Sequence, residues 1–145
     1  MNSEFILSKL GSIGPFSALN MKLVEFSETS AVIGISIEGN RNDKNTMFAG
    51  SIYSAMVLAG WVLARAASES TCPSHDVVIK ESSVRFRLPV RSDCTARAEV
   101  SALLKETRSG MFGISVAVRL LDSIENKTCA EFAGTYICLP PPGTL

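Results

Sequence analysis

Met47-Phe48-Ala49-Gly50-Ser51-Ile52-Tyr53-Ser54-Ala55-Met56-Val57-Leu58-Ala59-Gly60-Trp61-Val62-Leu63-Ala64 contains no charged residue, and its reading decides the fold. A stretch of about 18 such residues is the lower bound for a membrane span. Gly50, Gly60, Ser51, Ser54, Tyr53 and the alanines dilute its apolar character. A helix apolar on every side is equally one enclosed by protein. The sequence after it alternates in polarity like soluble β structure, so Met47 to Ala66 is expected to be a buried central helix.

Downstream, Val84, Phe86 and Leu88 alternate with Ser83, Arg85 and Arg87, the period of two of a strand with one face on a core. Ala96, Ala98, Val100 and Ala102 repeat the pattern, as do Ile114, Val116, Val118 and Leu120, and then Ala130, Phe132, Gly134 and Tyr136 between Thr128 and Leu139. Turn-rich segments separate the runs: Pro89 to Asp93, Thr107-Arg108-Ser109-Gly110, and Asp122 to Lys127. Such short connections predict an antiparallel meander. Upstream, Met21 to Phe26 and Ala31 to Ile37 read as a hairpin around Ser27-Glu28-Thr29-Ser30, and Ser3 as the cap of a short helix carrying Phe5, Ile6, Leu7 and Leu10. The order predicts an α+β hotdog fold over residues 1–145 as one domain, a curved antiparallel sheet wrapped around one long helix. The alanine face of Ala96 to Ala102 suits a strand passing close to that helix. An open layered sandwich would leave polar positions on the helix, and few are present.

Composition narrows the function. Hydrophobic residues are 46% of the 145, and 14 Lys and Arg balance 14 Asp and Glu. Disorder is excluded, and no basic run favours nucleic acid as a partner. A neutral, apolar chain favours self-association as a homodimer or dimer of dimers. Cys72, Cys94, Cys129 and Cys138 form no CxxC pair, and with His75 alone they make no recognisable metal site. They read as free buried thiols. The N-terminus lacks the basic and apolar regions of a signal peptide, which makes a cytoplasmic location the expectation.

The stretch Asn40-Arg41-Asn42-Asp43-Lys44-Asn45-Thr46-Met47-Phe48-Ala49-Gly50-Ser51, continued by Leu58-Ala59-Gly60-Trp61, resembles the helix-opening motif of the YiiD C-terminal type of thioesterases in the hotdog superfamily. Ser83 to Val90, with Asp93 and Ala96 beyond it, and Ala133-Gly134-Thr135-Tyr136 resemble the family's later strands. Ala49 departs from the pattern, which has a glycine there. The resemblance implies hydrolysis of an acyl thioester of CoA or of acyl carrier protein, with CoA or phosphopantetheine entering as part of the substrate and no separate cofactor.

A helix beginning near Phe48 leaves its first N–H groups free at the positive end of the helix dipole. A thioester carbonyl placed there gains donors for its developing oxyanion. Gly50 puts no Cβ between those donors and a ligand, or else serves only close packing. Water must also be oriented or deprotonated. By the resemblance, Asn42 stands where many hotdog thioesterases carry a functional Asn, and Val57 where they carry a helix carboxylate. Asp43 is the nearest acid and the substitute base, with Asn42 and Asn45 orienting water or carbonyl. Their alternative role is loop and cap chemistry. Thr46, Met47, Phe48, Ala49, Ser51, Tyr53, Ser83 and Arg91 are the candidate substrate contacts. Arg85, Arg87 and Arg91 either meet substrate phosphates or are solvated strand charges. His75 has no nearby acid in sequence, and Ser51, Tyr53 and Ser54 lack a His-Asp partnership. A non-catalytic acyl-thioester binding or dimerisation module is the alternative, favoured by the acid-free helix.

Overall fold

The computed structural model describes residues 3–73, 76–103, 106 and 111–140. His75, the Thr107–Gly110 turn and most of the proline-rich tail lie outside them. Two short helices, α1 (Ser3–Gly11) and α2 (Gly14–Ala18), precede the hairpin β1 (Met21–Phe26) and β2 (Ser30–Ile35). The long helix α3 (Ala49–Ser68) follows, then β3 (Asp76–Phe86), β4 (Cys94–Leu103), β5 (Phe112–Asp122) and β6 (Thr128–Leu139). All six strands form one antiparallel sheet in the order β1-β2-β4-β5-β6-β3. This is the expected hotdog architecture.

The local chemistry follows the sequence. The β1–β2 turn closes through the Ser27 N–H on the Ser30 carbonyl at 2.8 Å, while the Ser27 hydroxyl accepts from the Thr29 and Ser30 N–H groups. Ile6 and Leu10 of α1 are fully buried. Helix α3 is enclosed by the concave face, with Ala55, Met56, Ala59, Val62, Leu63 and Ala64 at 0% exposure. It is long and apolar enough to cross a membrane, but 67% of its most apolar stretch is buried in this fold. Ala96 and Ala98 lie fully buried on β4, whereas Ala102 is exposed beyond a register shift at Val100.

Gly60 is explained by one neighbour. The Tyr136 hydroxyl donates to the Val57 carbonyl at 2.6 Å, and a Cβ on Gly60 would stand 2.4 Å from that hydroxyl. Burial pushes the Tyr136 phenol well above its usual titration range, with Tyr53 adding to the shift.

The meander expectation fails at β3. Only β4, β5 and β6 follow one another in space, and β3 pairs beyond β6 instead of beside β4. The connection from Arg87 to Asp93 makes this possible by running across the strand ends. The Arg87 and Leu88 N–H groups donate to the Cys129 carbonyl at the start of β6, and the Asp93 carbonyl accepts from the Ser123 N–H just past β5. Crossing three strand spacings needs ~14 Å, within reach of a short extended segment. As an edge strand, β3 keeps only Val77 buried and Val84 half-buried, leaving Phe86 at 50% and neighbouring Leu88 at 47% exposure.

Candidate active site

The loop before α3 is built around Asn42. Its Oδ1 accepts the Lys44 N–H at 2.8 Å and the Thr46 N–H at 3.1 Å, and its Nδ2 donates to the Thr46 hydroxyl at 3.0 Å. The Asn42 N–H reaches the Thr46 carbonyl at 2.7 Å, closing a turn in which Asn45 takes a φ of +63°. That left-handed backbone is tolerated better by Asn than by most residues. The loop then locks onto the rest of the fold. The Met47 N–H donates to the Val90 carbonyl at 2.8 Å and the Phe48 N–H to the Asn40 carbonyl at 2.7 Å.

Helix α3 starts without a side-chain cap. The Phe48 carbonyl accepts from the Ser51 and Ile52 N–H groups. Among the described residues nothing accepts from the Ala49 or Gly50 N–H, so two donors stand free at the positive helix end. Beside them opens a cleft of about 320 Å³ lined by Asn42, Met47, Ala49 and Ile52 on one side and by Phe86 to Val90 on the other.

The expected site residues divide around this cleft. Asn42, Met47 and Ala49 line it. Gly50 carries one of the free amides, and the space a Cβ would take is filled by the Phe48 ring, whose edge comes within 2.4 Å of that position. Phe48 is 57% exposed, so its ring covers the helix end from the solvent side. Thr46 braces Asn42, and Asn45 shapes the turn. Asp43 is 81% exposed, lies 3.2 Å from the Lys44 ammonium and does not line the cleft. Ser51 is buried in the helix. Tyr53 is bonded to Ser82 at 2.6 Å, with its ring 5.9 Å from that of Phe132. Arg91 lines a separate recess with Lys127, and Ser83 lies on the outer face of the sheet. Of the wall from Phe86 to Val90, only Arg87 was foreseen as a substrate contact, and then as an alternative to a solvated strand charge. The wall's signal was the Leu88-Pro89 step after a strand, read only as a turn.

The donor count sets what the cleft can do. Both lone-pair directions of Asn42 Oδ1 are occupied, so its amide offers the cleft one spare N–H and no basic atom. The lining residues bring Asn42, Ala49 and the Arg87 guanidinium to the cleft, with no carboxylate among them. Such a site stabilises an oxygen that gains negative charge. The described residues contain no group of three His, Cys, Asp or Glu placed to hold a metal ion.

A family model described as "Putative thioesterase (yiiD_Cterm)" matches residues 11–140. The chain belongs to this thioesterase family. Its class is that of enzymes hydrolysing thioester bonds. Solved structures share the fold. A protein from Shewanella oneidensis described as a putative thioesterase is 24% identical, with a TM-score of 0.79 over 94% of this chain and 99% of that one. A thioesterase from Haemophilus influenzae is 19% identical, with a TM-score of 0.78 over 92% and 88% of the two chains. A protein of unknown function from Chlorobaculum tepidum is 21% identical, with a TM-score of 0.80 over 95% and 94%.

Proposed function

We propose that the protein hydrolyses an acyl thioester of CoA or of acyl carrier protein, polarising the carbonyl with the free Ala49 and Gly50 amides. The observation that carries this is the pair of unpartnered N–H groups beside a cleft walled by Asn42 and by Phe86 to Val90. Preorganised donors of this kind are worth a few kcal/mol on a developing oxyanion. Asn42 directs its spare N–H at the water or at the carbonyl. The thiol leaving group has a pKa of about 8.5, so it departs as thiolate without a strong general acid. Asp43 is the acid of the motif loop, and its exposure and Lys44 partner leave the carbonyl to the donors alone. Hydrolysis of a panel of acyl-CoA and carrier-linked thioesters, against an Asn42→Ala control, tests the reading. Absent turnover together with measurable substrate binding would move the protein to the non-catalytic class, which the acid-free cleft favours.

The working form we propose is a homodimer, or a dimer of dimers, in a reducing cytoplasm. Strand β3 pairs on one side only and exposes Val78, Ile79 and Phe86. Beside it, α3 leaves Tyr53, Val57 and Trp61 half-buried along one stripe. A second copy would cover both and place two clefts at the interface. The four thiols are buried and free, as suits a reducing compartment.

A further inference from the structure

Behind the cleft, on the outer face of the sheet, a recess of about 310 Å³ is lined by Ser83 and Arg85 of β3, Glu131 and Ala133 of β6, and Ala117 and Arg119 of β5. Register fixes the arrangement. Arg85 stands opposite Glu131, and Glu131 opposite Arg119. Two strand spacings put the two arginines ~10 Å apart, with Glu131 between them and the small side chains of Ala117 and Ala133 in the adjoining row. The acid between them is already engaged, because Arg87 donates to Glu131 Oε2 at 2.9 Å. Neither Arg85 nor Arg119 is within ion-pair distance of an acid among the described residues. The lining therefore carries two guanidiniums and one carboxylate, and that carboxylate is held by Arg87 from outside the recess. The next acid on this face, Glu99, lies across Ala117 on β4, and Arg97 beyond Arg119 is held by Glu25 at 3.4 Å.

Arg87 lines the cleft of the helix N-terminus and is bonded to Glu131 of the recess, so this ion pair stands between the two. Arg85 immediately precedes Phe86 of the cleft wall, and Glu131 lies two residues from Cys129, on which the cleft's connection is hung. Resting on the hydrolase reading above, we infer that this recess holds the phosphorylated nucleotide end of a CoA substrate, with Arg85 and Arg119 on its phosphates. Two forked cations beside the small side chains of Ala117 and Ala133, with the carboxylate between them held by Arg87, suit two phosphate groups on one small molecule. The volume is at the lower end of small-ligand sites. An acidic carrier protein would instead need a broader cationic face, and Glu99 and Glu25 interrupt one here.

The probe is adenosine 3′,5′-bisphosphate, titrated calorimetrically into the wild-type chain and into Arg85→Ala/Arg119→Ala, with circular dichroism confirming the fold and Arg85→Lys/Arg119→Lys as a conservative second variant. Wild-type binding that weakens with salt, falls roughly tenfold or more in the alanine variant and is partly kept by the lysine variant is the expected result. KM for an acyl-CoA should rise by a similar factor, with KM for the matching acyl-N-acetylcysteamine, which lacks the nucleotide, within about twofold. No binding of the bisphosphate, or binding indifferent to the arginines, overturns the inference. Arginine-dependent turnover of acyl carrier protein without bisphosphate binding also overturns it and assigns the face to a protein partner. Bisphosphate binding without turnover of any thioester would keep the subsite and remove the hydrolase reading, so the two fail separately.

Discussion

Replacing Gly60 with alanine adds one methyl group where the central helix has no room. The new Cβ would lie 2.4 Å from the Tyr136 hydroxyl and 2.8 and 2.9 Å from two of its ring carbons. Tyr136 is 1% exposed and cannot swing into solvent. It must retreat by about an ångström, which breaks its 2.6 Å bond to the Val57 carbonyl. A buried hydroxyl left without a partner costs ~1–3 kcal/mol, and overpacking a tight core adds ~1–3 kcal/mol. Alanine's better helix propensity returns about 1 kcal/mol. The net expectation is a loss of about 3 kcal/mol, read as a lower urea midpoint at unchanged slope. Tyr136→Phe should cost about 1 kcal/mol alone, because only the hydroxyl bond is lost. In the double variant the closest clash disappears, so the two changes should cost ~1–2 kcal/mol less together than summed. A stability loss below about 1 kcal/mol for Gly60→Ala, or strict additivity in the cycle, would refute the packing argument.

Asn42→Ala removes the acceptor for two loop amides and the spare donor, and should lower kcat on any accepted thioester by ~10²-fold; a change under threefold would place the loop outside the chemistry. Asp43→Asn should change kcat less than about fivefold, because this side chain is solvated and lies outside the cleft; a hundredfold loss would show that it turns inward as the base. Light scattering at micromolar concentration should give at least a dimer, and a monodisperse monomer would end the shared-interface model. Burial, followed by the neighbouring Cys129, pushes the Cys94 thiol up to about 12. Burial, followed by Cys138, pushes Cys72 up to about 11. Their folded values lie above the unfolded ones, so the stability they confer is intact below about pH 8.5 and is lost as pH rises toward those values. Urea midpoints measured from pH 8 to 11 should fall steadily; a flat profile would contradict the burial of these thiols.

The central helix and the strands were legible because each has a pattern that one structure satisfies. Eighteen uncharged residues bounded by alternating runs leave little besides a helix inside a sheet. Strand order was less legible. A turn-rich segment such as Pro89 to Asp93 looks the same whether it joins neighbours or crosses strand ends, and only the bonds to Cys129 and Ser123 distinguish them. Alternation also misled at β3, where Phe86 has the period of a core residue and half its surface bare. The site was legible in its loop and helix start, since Asn42 and the free amides follow from local rules. Its opposite wall was not, because contact between Met47 and Val90 depends on how the sheet curls. Nor could sequence say that the space beside Gly50 is filled by Phe48.

The position of β3 has a consequence for how the chain assembles as it is made. Its neighbour within the chain is β6, which emerges from the ribosome roughly forty residues later. Until then the hairpin, the apolar helix and β3 have only part of the surface that will cover them. At ~5–20 residues per second this leaves a window of several seconds in which sticky surface is unburied. Completion of the sheet around the helix therefore waits for the arrival of β6. Substitutions that weaken β6 would then reduce yield by loss to aggregation during synthesis, even where the finished protein tolerates them.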